Sequence, residues 1–141
     1  MISTCREFSL ESQGDSHVYD VTEQVRRIVE QEGLQEGLAT VFTPGATASV
    51  TTIEFESGAV ADLRRAVERL APRREHYRHD ARWGDGNGFS HVRAALLGPS
   101  LAVPVSAGQL VLGTWQQIVV IDHDNRARNR RVAVQLLGSG P

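Results

Sequence analysis

The sequence predicts an α+β fold, a largely antiparallel, sandwich-like β-sheet carrying two helices. Three observations lead there. Only two stretches repeat their apolar residues at helical spacing, the rest of the chain is rich in short β-branched runs, and those runs follow one another across turn signals. With 141 residues, 40% of them hydrophobic and 23% charged, the chain has the size and composition of a single domain spanning residues 1–141.

Residues 4–10 place Cys5, Phe8 and Leu10 in a loose alternation, a weak strand signal. From Asp20 the period changes. Val21, Val25, Ile28 and Val29 form one helical stripe, Asp20 and Glu23 read as a capping pair, and Gly33 supplies a left-handed stop. Residues 38–42 and 47–55 read as two strands parted by the Pro44-Gly45 turn. A second helix is expected after Ser57-Gly58, with Val60, Leu63, Val67 and Leu70 on one face and Pro72 ending it. Residues 73–88 lack apolar periodicity and read as a long loop, the kind that often carries function. Beyond it, strands are expected at 91–97, 101–105, 109–112, 116–121 and 131–137, with the polar stretch 122–130 between the last two.

Composition narrows the function classes. A net charge of -2 gives no overall cationic field for nucleic acid or an anionic membrane, although local arginine clusters can still bind phosphate. All 15 basic residues are arginine, so no lysine can form a Schiff base. The lone Cys5 has no internal disulfide partner, the first residues lack a signal-peptide pattern, and no apolar run is long enough to span a bilayer. A cytoplasmic protein is expected. Neither a Gly-x-Ser-x-Gly elbow, a phosphate-binding P-loop nor a dinucleotide fingerprint is present.

The stretch DGNGFSHVRAALLGPSLAVPVSAGQLVLGTWQQIVVIDHD, residues 85–124, resembles the signature of the YjbQ-like family, also known as secondary thiamine-phosphate synthases. Its hexapeptide Leu-Gly-Thr-Trp-Gln-Gln at 112–117 is the most specific part. Residues 47–56, Tyr77-Arg-His-Asp and the Arg130-Arg131-Val-Ala-Val-Gln strand are similar to further family motifs. The resemblance implies a sandwich-like α+β fold and a homotrimer. It also implies a weak activity, the joining of a hydroxymethylpyrimidine pyrophosphate to a thiazole phosphate with release of pyrophosphate. Two places depart from the family pattern, because Gly45 and Phe89 stand where many members carry histidine. A His-x-His metal arm is thereby reduced to one imidazole, and a tightly bound zinc is not expected.

The resemblance gathers His79, His91 and Glu54 as candidate catalytic groups; their spacing alone matches no compact ligand motif. Imidazole and carboxylate can coordinate a divalent metal ion that holds a pyrophosphate, with His79 and His91 as ligands, or histidine can act as acid toward the leaving group. Arg78, Arg82 and Arg93 are candidate phosphate forks, Arg93 because a strand would place it on the same face as His91. Asp85 and Asn87 form a glycine-rich turn that either receives a phosphate or is simply a turn. Gln116 can hydrogen-bond a flat heterocycle, and Trp115 more readily anchors a subunit interface. His17, His76 and His123 are expected in solvated loops. Three readings follow: a transferase of the thiamine-phosphate synthase kind, a non-catalytic homotrimer binding a small phosphorylated metabolite, or a metal-dependent phosphoester hydrolase.

Overall fold

A computed structural model describes all 141 residues. The strands are β1 (Ile2–Ser12), β2 (His17–Asp20), β3 (Glu36–Phe42), β4 (Ala48–Ile53), β5 (Ser100–Ser106), β6 (Gln109–Leu110), β7 (Gln117–Asp122) and β8 (Arg128–Ser139). The helices are α1 (Thr22–Glu32), α2 (Ser57–Leu70), α3 (Arg78–Trp83) and α4 (Gly88–Leu97). One sheet runs β1-β8-β3-β5-β6 and the other β2-β7-β4, and every pairing in both is antiparallel. The fold is therefore α+β and antiparallel, as expected.

Four helices replace the expected two. Residues 91–97, read as a strand, belong to α4, and the expected loop 73–88 contains α3. A segment of seven residues is too short to fix a period, so a short helix and a strand look alike in it.

Helix α1 forms as its stripe predicts. Val25, Ile28 and Val29 are buried, and Gly33 closes the helix in the left-handed conformation with φ of 70°. Asp20 serves this start, because its Oδ1 accepts from the Thr22 amide at 3.0 Å and the Thr22 hydroxyl at 2.6 Å. The α1 stripe joins Val41, Val103, Val132, Val134 and Leu136 of the large sheet and Val50, Ile118 and Val120 of the small one in one cluster. The core thus lies between the sheets. Period two turns Val119 and Ile121 to the opposite face of β7, and they are equally buried. Burial on both faces is the physical reason this strand reads as an unbroken apolar run.

Helix α2 begins at Glu56, whose carboxylate accepts from the Gly58 and Ala59 amides at 2.7 and 2.8 Å. Of its predicted face only Val67 is buried, while Leu70 is exposed. Helix α4 packs against β4, and the Val50 amide donates to the Gly98 carbonyl where α4 ends, at 3.0 Å. No helix is long and apolar enough to cross a membrane.

Candidate functional site

Glycine brings the two short helices together. A Cβ on Gly88 would lie 2.5 Å from Tyr77 Cβ, so only glycine lets α4 start this close to the head of α3. The Gly88 amide then donates to Asp80 Oδ1 at 2.8 Å. Gly84, left-handed with φ of 68°, ends α3 and turns the chain toward Asp85, whose Oδ1 accepts from the Asn87 amide at 3.2 Å.

The result is a compact cluster at the α3–α4 junction. The His79 and His91 rings sit 4.3 Å apart between centroids, and His79 Nδ1 lies 3.5 Å from Asp80 Oδ1 and 3.4 Å from Asp85 Oδ1. One ligand atom each from His79, Asp80 and Asp85 falls within 4.8 Å of the others. Burial, and then the neighbouring His79, lower the His91 pKa below its ordinary value, against the opposing pull of Asp85, Asp124 and Asp80. The shift favours the neutral imidazole. His91 also borders a cleft of about 290 Å³ with Gly45, Ala46, Ala48, Ala94, Ala95 and Pro99.

Under this surface lies a buried polar network. Arg130 grips Asp122 with two bonds, Nε to Oδ2 at 2.7 Å and Nη2 to Oδ1 at 2.8 Å. Asp124 Oδ2 accepts from Thr47 Oγ1 at 2.9 Å, Arg128 Nε at 3.1 Å and Asn87 Nδ2 at 3.3 Å. Although burial opposes it, these bonds and the charges of Arg128 and Arg130 hold the Asp124 pKa below the carboxylate norm. Arg130 is held charged chiefly by its hydrogen bonds to Asp122.

His123 corrects one expectation. Far from being solvated, it is fully buried between Ser16 Oγ, 2.8 Å from Nδ1, and Ser49 Oγ, 2.9 Å from Nε2. Arg93 corrects another. A helix rotates residues two apart by roughly 200°, so Arg93 faces away from His91 and only 3% of it is exposed. Its Nε donates to the Ala71 carbonyl at 2.9 Å, Nη1 to Ser16 Oγ at 3.0 Å and Nη2 to Glu68, while its guanidinium lies over the Phe89 ring. With all three nitrogens engaged inside the protein, it is no free phosphate fork. The same rotation means that a histidine at position 89 would not share a face with His91.

The remaining candidates divide. Asp85 stands in the cluster, whereas Asn87 is buried beneath it, with its amide group donating to Asp124 and its Oδ1 accepting from Ser90 and Asn125. Arg78 is exposed on α3. Glu54 and Gln116 lie elsewhere. Ala48 shares the His91 cleft, and Glu54 is six residues farther along the β4 direction, roughly 20 Å away at the rise of a strand. Gln116 bonds Thr52 Oγ1 at that same far end.

Sequence reasoning missed Asp80, Asp122, Asp124 and Arg130. For Arg130 a signal existed. It shares the parity of Val132, Val134 and Leu136, the inward face of β8, and a charge on a core face marks a buried partner. The Asp122–Asp124 stretch carried no such signal, because three polar residues in a row read as a loop.

Residues 6–139 match the family described as "UPF0047 protein YjbQ-like". The chain belongs to the YjbQ-like UPF0047 family. A UPF0047 protein of Archaeoglobus fulgidus is 39% identical over 131 residues, covering 93% of this chain and 99% of the relative. Another from Mycobacterium tuberculosis is 42% identical over 129 residues, covering 84% and 96%. Among solved structures, a YjbQ-like protein of unknown function from Sulfolobus solfataricus superposes with a TM-score of 0.88 at 27% identity, covering 98% of this chain and 100% of that one. A hypothetical protein of Aeropyrum pernix gives 0.89 at 29% identity, with 96% and 99% covered. The family match establishes kinship and fold, and UPF0047 is a family of unknown function.

Proposed function

We propose that the α3–α4 junction holds an exchangeable divalent cation and that the protein acts on a small phosphorylated metabolite bound beside it. The observation that carries this reading is the triad of His79, Asp80 and Asp85, with His91 against it. Four ligands about 2.1 Å from one ion stand roughly 3.4 Å from each other in a tetrahedron. His79 Nδ1 stands 3.4 and 3.5 Å from its two carboxylate neighbours. Backbone amides of Gly88 and Asn87 orient those carboxylates, as outer-shell partners of metal ligands do. One imidazole and two carboxylates, one of them exposed, suit a labile ion better than a tight zinc site.

The ion would neutralise a departing phosphate or pyrophosphate. His91, neutral when the cleft is empty, gains proton affinity as an anion arrives, and then serves as acid toward the leaving oxygen. Pyrophosphate departure in the pyrimidine–thiazole condensation has the same requirement, so that transferase reaction and phosphoester hydrolysis are assayed side by side. The homotrimer belongs to this reading. With Glu54 and Gln116 roughly 20 Å from the cleft within one protomer, they reach it only from a neighbouring copy.

The test is turnover of both substrate classes with and without added Mg²⁺ or Mn²⁺, in the wild type and in Asp85→Asn and His91→Ala. Cation-dependent turnover that both variants lose supports the proposal. Saturable ligand binding without turnover in any metal selects the non-catalytic binding protein. A trimer by sedimentation supports the shared-site geometry, and a monomer removes Glu54 and Gln116 from it.

A further inference from the structure

Arg130 has one nitrogen to spare. Its Nε and Nη2 are taken by Asp122 and Thr47, and no protein group accepts from Nη1. The residue is only 8% exposed, yet no fully buried side-chain nitrogen in the protein lacks a partner, so Nη1 is the tip of this guanidinium that reaches solvent. It emerges at Gly45. A Cβ on that glycine would lie 3.0 Å from Nη1, in contact with it, and Gly45 is exposed and lines the His91 cleft.

We propose that Nη1 of Arg130, uncovered by the absence of a side chain at Gly45, is an anion-binding subsite for the phosphate group of the ligand in the His91 cleft. This deepens the reading above by assigning its phosphate receptor to Arg130 in place of Arg93. A guanidinium rigidly held along one edge by Asp122 loses little entropy when its free nitrogen binds an oxyanion. The acids around it leave no net negative charge to repel an anion. Asp122 and Asp124 are matched by two guanidiniums, because Arg128 also bonds Asp124 at 3.1 Å. Arg130 Nη1 lies directly behind Gly45, and the cleft walls at Ala46, Ala48, Ala94, Ala95 and Pro99 are small and leave room for a tetrahedral anion. The glycine at position 45 thus has a physical consequence: a side chain there would cover the only free nitrogen of the arginine.

The experiment titrates inorganic phosphate into the full-length protein in EDTA, following backbone amide resonances. Chelation takes the cation site out of play, so the subsite succeeds or fails independently of the cation. Saturable shifts at Gly45, Ala46 and His91 are expected, with affinity reduced at least about tenfold in Gly45→Ala, the loss of roughly one charge-assisted hydrogen bond. Should Gly45→Ala not fold, which its φ of 127° allows for, Ala95→Leu fills the cleft from the exposed side of α4 and decides in its place. Absence of saturable phosphate binding, or an affinity unchanged in the deciding variant, would overturn the subsite. Phosphate binding in EDTA without any metal-dependent turnover would keep it and refute the catalytic reading.

Discussion

Lowering the pH should destabilise this protein through His123. Burial, chiefly, and then the charge of Arg93 press its pKa from 6.5 to about 4, with Asp122 pulling the other way and Arg130 adding to the depression. The hydrogen bonds agree. Arg93 Nη1 donates to Ser16 Oγ, which leaves the Ser16 proton available to Nδ1 and the Nε2 proton to Ser49 Oγ, the pattern of a neutral imidazole. Above pH 6.5 both folded and unfolded chains hold the neutral ring, and it adds no pH dependence. Between 6.5 and about 4 only the unfolded chain takes up the proton, so stability falls as the pH falls. The loss is about 2 kcal/mol at pH 5 and levels off near 3 kcal/mol below pH 4, at 1.36 kcal/mol per pH unit. Urea unfolding of wild type and His123→Gln between pH 7.5 and 4.5 measures it. The variant should be less stable at pH 7.5 and lose about 2 kcal/mol less than wild type on acidification to pH 5. Parallel curves for the two proteins would refute the reasoning.

Three further outcomes follow from the same contacts. Arg130→Met strands Asp122 in the interior without its paired guanidinium and should cost about 3–5 kcal/mol by urea unfolding, the usual penalty for halving a buried pair. The His91 imidazole should titrate by NMR below the ordinary histidine value, and His79→Ala should move its midpoint upward, because His79 is among the groups that lower it. Gly37→Ala should lower stability by more than about 2 kcal/mol, since its Cβ would meet the Leu137 carbonyl oxygen at 2.1 Å where β3 pairs β8.

The α1 stripe, the Gly33 stop, the two-sided burial of β7 and the inward parity of β8 are local or periodic properties. A period is written along the chain, and so these elements were legible in it. Resemblance in residues 85–124 supplied the family, and resemblance also grouped His79, His91, Asp85 and Glu54, of which the fold sets the first three side by side and leaves Glu54 at the far end of β4.

What tertiary structure alone decided is which way each polar side chain turns. Residues 91–97 are compatible with either period, and packing against β4 made them helix, which sent Arg93 inward to Ser16 and left His91 at the cleft. His123 and its flanking aspartates look like a solvated loop until Arg130, Ser16 and Ser49 close around them. Such partners come from positions up to 107 residues apart. Hydrogen-bond saturation depends on distance in space, which no local pattern encodes, so the single unmatched nitrogen of Arg130 becomes visible only once the fold has used up all the others.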